Sequence, residues 1–262
     1  MIRFLELLAG TVLLRPYVFI CLGVYLLLAT WHLGGTRALA FLLAGYLMAW
    51  GAELCSITYG FPFGWYFYIP ATRDRELWVA GVPLMDSLSY VFLAYASYTL
   101  ALLALGPGPG GEKPFSLGAA APLPSWRPWV LGAMLMVTLD VVIDPLALQG
   151  HRWFLGQIYG YPEPGVYFGV PLANFGGWLL VALALVGVLQ YLATRRPGRP
   201  WLDWGRRRFP GQALLGPGLY LGILAFNLFM TFWIGETCLG WVGIFIYAPF
   251  LTYLTLKLIP RR

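Results

Sequence analysis

An all-α, polytopic membrane helix bundle is the fold class this sequence predicts, and three observations lead to it. First, hydrophobic residues fill 60% of the 262 positions and charged residues 11%, with a strongly positive mean hydropathy; a water-soluble domain of this length has no need of that. Second, the apolar residues gather into seven windows, each near the roughly 20 residues a helix needs to cross a hydrocarbon core. Third, the net charge of +6 is localised, with six arginines in the stretch RRPGRPWLDWGRRRFPG, as expected of a loop held at one membrane face.

The elements follow in order. The opening MIRFLELLAGTVLL is apolar but short and carries Arg3 and Glu6 before Arg15-Pro16, so residues 1–15 read as an interfacial or half-inserted helix. It has no small-residue cleavage site and runs straight into the first span, unlike a removable signal peptide. Spans are expected over 16–33, 38–57, 82–105, 129–148, 170–193, 212–234 and 237–257. That makes seven, or eight if the N-terminal segment also crosses, in a single transmembrane domain over 1–262. The Gly-, Pro- and Ala-rich stretch 106–128 reads as an irregular linker and 194–211 as the basic loop.

If the spans alternate, one face receives Arg37, Lys113, Arg127, the six loop arginines, Lys257, Arg261 and Arg262, twelve of the seventeen basic residues. The positive-inside rule makes that face cytoplasmic, so 106–128 and 194–211 are cytoplasmic loops. The expectation is a multi-pass protein of the cytoplasmic (inner) membrane with its C-terminus in the cytoplasm. The basic loop suits anionic membrane lipid rather than nucleic acid; the alternative is a docking site for a partner enzyme. Cys21, Cys55 and Cys238 show neither metal spacing nor a disulfide framework and read as apolar fillers, although Cys55 and Cys238 fall at the same face.

The two longer outer loops repeat each other. TYGFP at 58–62 answers IYGYP at 158–162, GWYF at 64–67 answers GVYF at 165–168, and GVPLMDSLSY at 81–90 answers GVPLANFGGW at 169–178. The first copy carries the insertion YIPATRDRELWVA. Spans 2–3 and 4–5 therefore form a pseudo-repeat. In each copy a helix restarts at GVPL, with Pro83 and Pro171 suited to a first turn, and three residues on stand Asp86 and Asn174.

Glu53, Asp86, Asp140, Asp144 and Glu236 all fall near the outer ends of spans. Intramembrane carboxylates cost several kcal/mol each unless paired, wetted or protonated, so such a cluster marks a functional site by default. Taken singly, Asp86 suits a helix N-terminus, Glu236 a solvated turn, and Glu53 a snorkelling side chain. Asp140 and Asp144 are harder to dismiss, because four residues apart on a helix they share one face and repel unless they share a proton. Pro145 is expected to loosen the helix at Asp144. A shared proton beside an anion serves either a general acid and base pair or a proton relay.

Other chemistries fit poorly. His32 and His151 fall at opposite faces, so no metal or haem is expected between them, and neither lysine is placed mid-span for a retinal Schiff base. No phosphate-cradling glycine loop or carboxylate-rich diphosphate motif is present. Aromatic residues crowd the outer loops: Phe61, Phe63, Trp65, Tyr66, Phe67 and Tyr68 in one copy, Tyr159, Tyr161, Tyr167 and Phe168 in the other. They suit an interfacial belt or a slot for a flat apolar ligand.

Together AELCSITYGFPFGWYFY, GVPLMDSLSY, LDVVIDPLAL and GVYFGVPLANFGGW resemble the integral-membrane carotenoid biosynthesis family that contains carotenoid hydratases of the gamma-carotene and bisanhydrobacterioruberin type. The resemblance implies a cofactor-independent hydro-lyase, a carotenoid 1',2'-hydratase that adds water across the terminal double bond of an acyclic psi end group to give a tertiary alcohol. It implies no cofactor and no metal. Its substrate would be gamma-carotene, lycopene or a similar carotenoid, with water as co-substrate and, by family analogy alone, a carotenoid glycosyltransferase as partner. The matching positions are Glu53, Asp140, Asp144 and Asn174, with Gly60, Phe63, Gly64, Pro171 and Phe175 as framework. With these four as the catalytic candidates, Asp86, Tyr59, Phe63, Trp65, Tyr66, Tyr159, Tyr167, Phe175 and Glu236 are the substrate-binding candidates. The competing readings are a proton-coupled transporter or carrier of an apolar solute, and a scaffold for a pathway complex.

Overall fold

The structure, a computed structural model, describes residues 2–106, 125–194, 204–207 and 209–259. Most of the two expected cytoplasmic loops, 106–128 and 194–211, lies outside the described residues. Among those residues stand eight helices: α1 (Ile2–Leu14), α2 (Pro16–Leu33), α3 (Gly35–Tyr59), α4 (Leu84–Leu105), α5 (Trp126–Leu148), α6 (Leu172–Thr194), α7 (Gln212–Trp233) and α8 (Thr237–Leu258). The last seven, α2 to α8, are long and apolar enough to cross a membrane, and the chain is a multi-pass membrane protein. α1 has 13 residues, about 20 Å of helix. It docks sideways: the Thr11 hydroxyl accepts a hydrogen bond from the Leu77 amide at 2.7 Å, and Gly10 lies against the Arg75 carbonyl, where a Cβ would clash.

α4 is the axis of the bundle. Its most apolar window is 78% buried, against 28–56% for the other spans, and α2, α3, α5, α6 and α7 all pack on it. Its Ala94, Ala96, Ser97, Ala101 and Ala104 are small enough to let five neighbours approach. Hydrophobicity alone does not favour burial in lipid, so close packing of small side chains decides which helix goes to the centre.

The chain alternates direction, so α3, α5 and α7 finish at the end of the bundle where α2, α4, α6 and α8 begin. Across this end run the two repeat loops. They are joined by an antiparallel pairing of β1 (Phe67–Tyr68) with β4 (Tyr159–Gly160), register Phe67 to Gly160 and Tyr68 to Tyr159. Each copy then makes the same turn into its second helix. Ala80-Gly81 and Phe168-Gly169 both take positive φ (50° and 87°; 47° and 87°), the conformation of a two-residue type I′ hairpin, and Val82 and Val170 pair back across it. Pro83 and Pro171 stand just before the first helical residue of α4 and α6. In the first copy the hairpin is β2 (Trp78–Val79), supplied by the insertion, with β3 (Val82–Pro83) of the shared GVPL.

Elsewhere the copies diverge. Tyr59 is the last residue of α3, whereas Tyr159, its counterpart by sequence, lies in β4, well past the end of α5 at Leu148. The expectation that Pro145 loosens α5 is corrected: α5 continues through Pro145 to Leu148. A proline in the last turn removes one amide donor near a terminus where the ladder is already ending, so the helix tolerates it.

Candidate active site

At the repeat-loop end the helices enclose a cavity of about 500 Å³. Its polar side is built from α5 and α6. Asp140 and Asp144 stand one turn apart and are 3% and 6% exposed; Asn174, 4% exposed, is the third residue of α6. The Asn174 amide nitrogen donates to both, at 3.2 Å to Asp140 Oδ2 and 3.0 Å to Asp144 Oδ2. A single NH2 group with two hydrogens thus ties the two carboxyls together. Asp144 also accepts hydrogen bonds from the hydroxyls of Tyr159 and, at 2.8 Å, of Tyr161. Asp144 therefore has three side-chain donors and Asp140 one.

The facing wall comes from α3 and α4. Ser87 donates its hydroxyl hydrogen to Glu53, which is 1% exposed, and Tyr68 donates to Asp86 Oδ2 at 2.7 Å. Burial, then the nearby Asp86 and Glu53 carboxylates, push the Tyr68 phenol well above its ordinary value; burial and then Asp144 do the same for Tyr159 and Tyr161. All three stay protonated and act as donors. Tyr66 is shifted the same way, by burial first and Glu53 second. It joins the two walls, with ring centroids 5.3 Å from Tyr68, 6.2 Å from Tyr159 and 6.4 Å from Tyr161.

Deeper in the bundle the lining becomes apolar. The Tyr90 and Trp178 rings are stacked at 4.4 Å and 5°, and Phe63 lies within 6.1 Å of each. Gly177 makes this possible, since a Cβ there would stand 2.6 Å from the Pro62 carbonyl oxygen and hold the first loop away from α6.

The structure therefore brings Asp140, Asp144, Glu53, Asn174, Asp86, Phe63, Tyr66 and Tyr159 to one cavity. It does not bring Tyr59, Trp65, Tyr167, Phe175 or Glu236 there. Tyr59 and Trp65 are 75% and 57% exposed, Tyr167 and Phe175 pack on each other with centroids 5.5 Å apart, and Glu236 pairs with Arg152. Ser87, Tyr90 and Trp178 belong to the site although the sequence did not single them out, and Tyr68 and Tyr161, two of the loop aromatics, belong to it although they were not among the binding candidates. One signal was available: side chains alternate along an extended segment, so in WYFY the pair Tyr66 and Tyr68 faces one way and Trp65 and Phe67 the other. Among the described residues no three His, Cys, Asp or Glu side chains converge to hold a metal ion.

Apolar helices closing on a carboxylate, amide and phenol cluster define a multi-pass membrane protein with a buried polar cavity. The chain belongs to the carotenoid biosynthesis protein family, whose match spans residues 9–249, and it has a role in carotenoid biosynthesis. No curated protein and no solved structure matches it.

Proposed function

We propose that the protein is a hydratase acting on the terminal double bond of an acyclic carotenoid end group. The observation that carries this reading is the Asn174 amide bridging two carboxyls, unequally supplied with donors, at the head of an apolar cavity. Hydrogen bonds to a carboxylate are stronger than hydrogen bonds to a neutral acid, so the three-donor Asp144 is the better holder of negative charge. Asp140 is then the proton holder and general acid.

Asp140 gives its proton to the CH carbon of the alkene, and the π pair forms the new C–H bond. The adjoining carbon, which bears two methyl groups, becomes a tertiary cation. Ring faces of Tyr66 and Trp178 and the carboxylate of Asp144 stabilise it. Water attacks that carbon and loses a proton to Asp144, and transfer through the Asn174-bridged pair restores the acid. The sum is one alkene plus one water giving one tertiary alcohol, with no redox change. Asn174 and Glu53 position the water.

The test is expression in cells that accumulate lycopene or gamma-carotene, followed by mass spectrometry of the pigments. A product heavier by one water, absent with Asp140→Asn, is the expected result. Unchanged pigment mass together with proton movement across vesicles bearing the protein would replace this reading with the transporter.

A further inference from the structure

The cavity has a second side, facing away from the carboxyls, and its walls there are α2 and α7. Ile20 and Cys21 of α2 and Gly218, Gly222 and Phe226 of α7 line it. Yet Ile20 is 66% exposed, Phe226 is 39% exposed, and both glycines are exposed. Residues that line a cavity and also face outside the bundle mark its mouth. A Cβ on Gly218 or on Gly222 would meet nothing within 4 Å, so the space beside them is open.

The mouth is framed at both ends by aromatic contacts. Toward the repeat loops, Tyr17 of α2 packs edge-on against Phe154 at 5.8 Å, and Phe154 meets Phe226 of α7 at 6.2 Å. At the other end, Trp31 of α2 packs against Phe209, just before α7, at 5.4 Å. The opening is therefore a window in the side of the bundle. Gly222 lies eleven residues before the end of α7 at Trp233, about 17 Å at 1.5 Å per residue, so the window reaches from near the repeat-loop end to mid-span depth.

We infer that this window between α2 and α7 is the substrate port, through which one end of a linear polyene reaches the carboxyls from the lipid while the rest of the chain stays outside the bundle. The inference rests on the carotenoid reading of the same site. Size supports it: a compact space of 500 Å³ is about 10 Å across, whereas a carotenoid polyene spans about 30 Å, the thickness of the hydrocarbon core. Only an end group and the first stretch of conjugated chain fit inside. The far end of the substrate is then not inspected, so acyclic and monocyclic carotenoids enter alike, and a substrate with two reactive ends must leave and return reversed.

The full chain, purified in detergent from lycopene-accumulating cells, gives two readouts: pigment absorbance per protein, and pigment mass. Gly218→Leu and Gly222→Leu are expected to lower co-purified pigment at least fivefold, with product falling in proportion. Ile20→Trp, narrowing the window from the opposite side, is expected to do the same. Gly23→Leu keeps both readouts, since Gly23 faces outward on α2 with nothing within 4 Å of an added Cβ and does not line the cavity. Pigment and product at wild-type levels in all three narrowed variants would overturn the port. Loss of pigment in those variants, with no hydrated product even from the unmodified protein, would uphold the port and remove the hydratase reading instead.

Discussion

The two halves of the repeat hold their acids differently. In the α5–α6 half, both acids stand on one helix, a turn apart, and a single Asn174 amide ties them together. In the α3–α4 half, Glu53 and Asp86 stand on separate helices and each takes a hydroxyl, from Ser87 and Tyr68 respectively. The position that carries Asn174 in one copy carries Asp86 in the other, after the same positive-φ turn. An amide donates to two carboxyls at once, whereas an ionised acid donates to none. One side-chain difference thus gives one half two acids tied by a shared amide donor and leaves the other half with two acids and no amide between them.

The halves also anchor their loops differently. Arg15 grips Glu76 of the first loop at 3.1 and 3.2 Å, with side chains 5% and 1% exposed, whereas Arg152 and Glu236, which pair beside the second loop, are 37% and 27% exposed. Burial makes the first pair far more consequential to break.

Breaking the comparison at its strongest point means Asp140→Asn, which is expected to lower hydration by about 1,000-fold, while Asp86→Asn lowers it by no more than about tenfold, read as product per substrate by chromatography. If the two fell equally, the halves would not be functionally distinct. Arg15→Ala is expected to destabilise the fold by about 3 kcal/mol, seen as a lower melting temperature in detergent. Asn174→Asp, which makes the copies alike, removes the bridging donor and is expected to reduce turnover about 100-fold with pigment binding retained. Glu53→Gln keeps its shape and replaces the carboxyl by an amide, for an expected drop of about tenfold in turnover. Smallest of all, Arg152→Ala is expected to change stability by under about 1 kcal/mol.

Much of this was legible in the sequence because hydrophobic length reports a span directly. The seven expected spans fall within a few residues of α2 to α8. Intramembrane acids are legible for a similar reason, since lipid makes them expensive wherever they occur. The aromatic residues were less so: Trp65 and Tyr66 are neighbours in the chain, yet only Tyr66 turns inward, and strand pairing of Tyr68 with Tyr159 sets that alternation. Likewise Tyr167 repeats Tyr66 in motif but packs on Phe175, because the second copy lacks the insertion that carries the first loop across the site.

By itself, then, the sequence determined the span count, the repeat and the depth of Asp140 and Asp144, all properties of hydrophobicity and spacing along one chain. Only the tertiary structure decided that α4 is central, that Tyr68, Tyr159 and Tyr161 point their hydroxyls at the acids, and that α2 and α7 part to leave a window. Those depend on which helix faces meet. Apolar spans are equally content against lipid or against each other, so periodicity cannot say, and close packing must choose.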